Sequence, residues 1–119
     1  MSFLLAGGVP ALFVAVVGTL ALVSAARFAH TPGAGRAGPL IAWCGSVVAA
    51  AVAGAAADLA AVASRIAATP AWQTPDQLPV ILVIGIGEAL SPVVLGGGLA
   101  AATALLIGVG LRRAPPAAA

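Results

Sequence analysis

Charge is what this sequence has least of. Only 7% of its 119 residues are Asp, Glu, Lys or Arg, against roughly 25% in an ordinary soluble domain. All five basic residues are arginines, and they stand against three carboxylates, for a net charge of +2. The basic residues are scattered and aromatics are few, at 4%, so the footprint of a nucleic-acid-binding protein is missing. There is one cysteine, Cys44, so neither an internal disulfide nor a cysteine cluster for a metal can form. No nucleotide-binding loop, nucleophile–base pair, metal cluster or redox motif can be found, and neither an enzyme nor a cofactor is expected. The Gly96-Gly97-Gly98 run lacks the lysine of a phosphate loop and falls in the middle of an apolar stretch.

Apolar residues, in contrast, make up 62% of the chain. They gather into three long runs, at about 3–28, 39–64 and 79–111. A transmembrane helix needs about 20 apolar residues to cross a hydrocarbon core of about 30 Å. The expected fold is therefore an all-α integral membrane protein, a bundle of three transmembrane helices in a single domain over 1–113. A short Pro/Ala tail, 114–119, would follow it. Each run has a proline near its start (Pro10, Pro39, Pro79), where the missing N–H costs a helix nothing. The third run would extend about 50 Å as a straight helix, so it must tilt, kink or project beyond the bilayer. The first run lacks the basic leader region of a signal peptide and its apolar stretch is too long for one, so it is read as a span. The connectors are the turn-rich segment from His30 to Arg36 and a second loop punctuated by Thr69-Pro70 and Thr74-Pro75. Trp43 and Trp72 suit the interfacial aromatic belt.

Arginine placement sets the orientation. With three spans, Arg27, Arg36, Arg112 and Arg113 fall on one side and Arg65 on the other. The positive-inside rule then puts the N-terminus outside and the C-terminus in the cytoplasm.

Small residues suggest how the helices pack, because close backbone approach replaces the hydrophobic drive that lipid removes. In the second span Gly45, Ala49, Ala53, Ala57 and Ala61 recur every four residues, beside a row of Ser46, Ala50, Gly54 and Asp58. That span is expected to be enclosed by the other two. In the third, Gly96, Ala100, Ala104 and Gly108 form a similar row, which drifts about 40° per step around the helix. Gly54, Gly85, Gly87, Gly96 and Ala100 are the candidate packing positions. So many small residues also suit a homo-oligomer.

Against that apolar background one residue carries the functional argument. Glu88 is the only charged residue between 79 and 111. Placing a lone carboxylate at membrane depth costs a few kcal/mol or more, and such residues commonly mark ion or proton pathways. Asp58 lies seven residues before Arg65, about 10 Å inside its end of span two. Glu88, nine residues after Pro79, falls at a similar depth, about 13 Å. If the two carboxylates approach, both cannot be ionised cheaply and the pair would hold a proton. The bland alternative, an Asp58–Arg65 pair two turns apart on one face, is favoured for Asp58. Pro92 removes the hydrogen bond to the carbonyl four residues earlier, and that carbonyl belongs to Glu88. A kink is expected there. Ser91 is close enough either to join a polar cluster or simply to satisfy the backbone.

The stretch Gly85-Ile86-Gly87-Glu88-Ala89-Leu90 resembles the final-helix motif of the MotA/TolQ/ExbB proton channel family, whose TolQ- and ExbB-like members carry Gly-Ile-x-Glu-Ala-Leu. The continuation Leu95-Gly96-Gly97-Gly98-Leu99-Ala100 is similar in character, and three spans with the N-terminus outside match as well. The chain differs in its short first loop, in Val93 where the family has threonine, and in its proline at 92 rather than near 102. The resemblance implies a bacterial inner-membrane homo-oligomer taking part in proton transport or energy transduction. A single-span partner of the TolR or ExbD type is implied too, with Glu88 as the channel-facing glutamate. The alternative is a non-conducting structural or assembly subunit, in which Glu88 supplies a hydrogen bond between helices.

Overall fold

The computed structural model describes residues 8–33 and 36–115. Residues 3–7 of the first expected span and 116–119 of the expected tail lie outside it. Four α-helices and one 3-10 turn make up the described chain: α1 Gly8–His30, α2 Ala37–Ala68, the turn Pro70–Gln73, α3 Leu78–Ala89 and α4 Ser91–Arg113. α3 and α4 together form one span, so the architecture is an all-α bundle of three helices long and apolar enough to cross a membrane.

Boundaries differ from the apolar runs where polar residues continue a helix. α1 extends through His30, which the composition assigns to the loop. Thr31 then closes the helix, its N–H (2.9 Å) and Oγ1 (3.1 Å) both donating to the Arg27 carbonyl. α2 begins two residues before Pro39 and continues to Ala68, because nothing from Ser64 to Ala68 breaks a helix. At 32 residues it measures about 48 Å and must tilt or project beyond the bilayer core. Its last carbonyls are satisfied from the turn beyond, where Gln73 Nε2 donates to the oxygens of Ile66 (3.0 Å) and Ala67 (3.3 Å).

The core is a stack of layers, each taking a residue from α1, α2 and α4. Pro10 and Pro92 close on Gly54, with 3.1 and 3.3 Å between their Cβ atoms and the position a Gly54 Cβ would occupy. Val14 and Ala51 close on Gly96. Ala21, Val47 and Ala100 form the next cluster, with Cys44 and Leu99 packed against it. Ala25, Phe28, Leu40 and Ile107 form the last, and Phe28 fills the space left by Gly110. This register makes α1 and α4 parallel and α2 antiparallel to both. It also brings Arg113 Nη1 to the Ala29 carbonyl at 3.1 Å.

Gly96 shows what the small residues accomplish. A methyl group there would collide with the Ala51 side chain and approach Val14 to 3.0 Å. Its absence lets helix backbones come close enough for dispersion to hold them.

The buried line on α4 runs Pro92, Gly96, Ala100, Thr103, Ile107, Gly110. Steps of four interleaved with steps of three hold it on one face of a helix with 3.6 residues per turn. A strict step of four drifts away, and accordingly Ala104 and Gly108 are exposed.

The expectation that α2 is enclosed is corrected. Its buried residues are Leu40, Val47, Ala51, Gly54 and Ala55, whereas Gly45, Ala49, Ala53, Ala57 and Ala61 face outward. Two neighbours cover only one side of a helix, and the contact side runs through Val47, Ala51, Gly54 and Ala55, of which only Gly54 belongs to either small-residue row. Gly87 is corrected as well: nothing lies within 4 Å of where its Cβ would be. Gly54, Gly85, Gly96 and Ala100 do pack.

Candidate functional site

α3 packs chiefly on α2, and the closest approach is at Gly85. A Cβ there would lie 2.6 Å from Val62 Cγ1, so the glycine allows α3 to rest on the Val62 side chain. Positions three and four residues on share a helix face. The same contact that buries Gly85 thus buries Ala89 and directs Glu88 toward the end of α2.

Two clefts meet there. One, of about 140 Å³, is lined by Gly8, Asp58, Ala61, Val62, Arg65, Glu88 and Ala89. The other, of about 170 Å³, has Val62, Arg65, Ile66, Trp72, Ile81, Ile84, Gly85 and Glu88 as its walls. Asp58 and Glu88, 30 positions apart in sequence, therefore face one space, as their matching depths predict. Arg65 joins them on the same wall. A volume of this size has room for a few water molecules, and three ionisable groups supply the polar partners such water needs.

Asp58 does not make the expected pair with Arg65. Its Oδ2 is buried and has no hydrogen-bond partner among the described residues. A buried acceptor left without a donor costs about 1–3 kcal/mol, more when charged. An unsatisfied group of this kind is exceptional in a native fold. Glu88, by contrast, is exposed in the single chain while lining both clefts.

The helix breaks between these groups and the core. Leu90 separates α3 from α4, and Pro92 occupies the first turn of α4, fully buried. Ser91 is buried as well, and its Oγ donates to the Glu88 carbonyl. The hydroxyl thus replaces the N–H that proline lacks. Ser91 satisfies the backbone, and Pro92 packs against Gly54; both hold the Glu88 turn in place.

Sequence reasoning missed three contributors. Arg65 enters the site facing both carboxylates rather than as the partner of one. Val62 is the knob that seats Gly85. Trp72 reaches the second cleft from the 3-10 turn instead of serving only as an interfacial anchor. The i, i+3, i+7 spacing of Asp58, Ala61 and Arg65 could have indicated the shared face. Nothing local announces Val62 or Trp72, because their roles depend on where α3 crosses.

No protein-family model matches this chain, and neither a curated protein nor a solved structure was found to match it.

Proposed function

We propose that this chain is a proton-handling integral membrane protein, working as an oligomer in the cytoplasmic membrane of a bacterium. The observation that supports it most is the shared cleft: two carboxylates and one guanidinium between helices long and apolar enough to cross a membrane, one carboxylate oxygen buried without a partner among the described residues. Such groups are costly in a membrane and are usually retained for ion or proton movement. Asp58 and Glu88 form the acidic pair, and Arg65 supplies a positive charge that a moving proton must pass. Ser91 and Pro92 hold the Glu88 turn. The resemblance of 85–90 to the last-helix motif of MotA/TolQ/ExbB channels points the same way. On that likeness a single-span TolR- or ExbD-like protein is a candidate partner, and the arginine-rich end faces the cytoplasm.

The test is proton flux into vesicles reconstituted with the purified protein under an imposed potential. The unaltered protein is expected to acidify or alkalinise the lumen faster than empty vesicles, and Glu88→Gln to remove most of the difference. A wild-type rate equal to that of empty vesicles rejects proton conduction by this chain alone. Repeating the measurement with a co-expressed single-span partner then tests whether the pathway needs a second subunit.

One observation favours a second reading, a non-conducting assembly subunit. Glu88 is exposed in the single chain, where its carboxyl can donate a hydrogen bond to a neighbouring helix. Under that reading Glu88→Gln keeps the oligomer and Glu88→Leu weakens it, measured by cross-linking in native membranes. Normal oligomers from Glu88→Leu exclude it.

A further inference from the structure

The end of the bundle opposite the acidic cleft carries a different site. A cleft of about 340 Å³ lies between the last turns of α1 and the first turn of α2, lined by Ser24, Arg27, Phe28, Arg36, Pro39 and Leu40. Two guanidiniums border one space whose remaining wall is largely hydrocarbon. Thr31 fastens the end of α1 below Arg27 through both its N–H and its hydroxyl. The Arg36 side chain folds back across Gly33, with its Nε 3.2 Å from where a Cβ would stand, so a larger residue at 33 would push it away.

Neither guanidinium has a carboxylate side chain to meet. The sequence has three, Asp58, Asp76 and Glu88. Two of them line the acidic cleft, and Asp76 lies in the connection leading into α3. The other basic residue held near this end by a described contact, Arg113, donates to the Ala29 carbonyl. Among the described residues no carboxylate lines this cleft, which leaves Arg27 and Arg36 open to an anion from outside the protein. Guanidinium recognises phosphate through paired N–H donors. At a membrane interface, basic pockets between helices take the head groups of anionic lipids.

We infer that this cleft binds one anionic glycerophospholipid, its phosphodiester between Arg27 and Arg36 and its first acyl methylenes along Phe28, Pro39 and Leu40. Phe28 and Leu40 also belong to the core layer with Ala25 and Ile107, so an occupied cleft braces α1 against α2 where the loop between them is short. A free phosphate would satisfy the arginines and leave the apolar wall wet, which is why the lipid is the better fit. The inference is independent of proton conduction.

Trp43, one helical turn further along α2 and 43% exposed, is a built-in reporter. The full chain carrying Trp72→Phe, which leaves it the sole tryptophan, is reconstituted in phosphatidylcholine vesicles containing brominated phosphatidylglycerol. Quenching of Trp43 is expected to show about a fivefold preference for phosphatidylglycerol over brominated phosphatidylcholine, the gain of about one well-placed basic contact. Arg27→Gln with Arg36→Gln should reduce the preference to one. Arg112→Gln, which borders a separate groove, should leave it unchanged. Equal quenching by the two lipids in the Trp72→Phe protein overturns the inference. So does an equal loss with Arg112→Gln, which would mean diffuse attraction, or displacement by millimolar inorganic phosphate, which would mean a free-anion site. Should Trp72→Phe fail to fold, native mass spectrometry of the unaltered protein reads the same preference as retained phosphatidylglycerol, and no retained lipid is the adverse result.

Discussion

The two ends of this bundle are built on different terms. From Pro10 to Gly110, three helices meet layer by layer, Gly, Ala, Val and Pro at one end giving way to Phe28, Leu40 and Ile107 at the other. Past Gly54 the arrangement changes. α2 continues to Ala68 with α3 and the 3-10 turn as its main neighbours, and Gly85 on Val62 is the tight contact. Where three helices close, no charged side chain is enclosed among the described residues. Where two helices cross, clefts open: Arg65 and Glu88 line both, and Asp58 joins them in one. Charged groups collect where packing is incomplete because there water or a partner can compensate them, whereas the buried hydroxyls of Ser91 and Thr103 are satisfied by helix carbonyls.

Substitutions can break that contrast, beginning with the most damaging. Gly96→Leu forces a large side chain against Ala51 and Val14 and should destabilise the bundle by about 3 kcal/mol or more. Unfolding in mixed micelles measures it, and a stability close to that of the parent would show that the layered core is not held by close approach. Asp58→Asn separates fold from function. It keeps a polar group of the same size, so the thermal midpoint should scarcely move while proton flux falls to the leak of empty vesicles. Unaltered flux would remove Asp58 from the pathway.

Ser91→Ala takes away the hydroxyl that satisfies the Glu88 carbonyl and should cost about 1 kcal/mol. Denaturant titration can resolve that loss, and Ser91→Thr, which keeps the hydroxyl, should restore most of it. Gly87→Ala is the mildest. Nothing stands in its way, and alanine favours helix by up to about 1 kcal/mol, so the variant should be as stable as the parent or slightly more so. Marked destabilisation there would reveal a neighbour, such as a second copy, that covers this face of α3.

Much of the architecture could be read before any coordinates. Three apolar runs with a single charged residue each dictate three helices in lipid, because an unbonded backbone is intolerable there. Matching distances from Arg65 and Pro79 put Asp58 and Glu88 at one depth, and Pro92 marked the break beside Glu88. The direction in which α2 faces was not legible. Its two small-residue rows look alike, yet the buried stripe follows neither: it runs Leu40, Val47, Ala51, Gly54, Ala55, set by what α1 and α4 place opposite. Gly85 and Gly87 likewise differ only in what stands opposite them: Val62 for one, open space for the other.

Composition and periodicity by themselves determined that this chain forms apolar helices of membrane-crossing length, where they turn, and which few polar residues fall at depth. These are properties of each segment against its solvent, and the bilayer imposes them segment by segment. The tertiary structure alone decided which faces meet, that Arg65 lines one cleft with both carboxylates, and that Asp58 Oδ2 finds no donor among the described residues. Those outcomes depend on how closely one backbone can approach another, and a single methyl group on a distant helix is enough to change them.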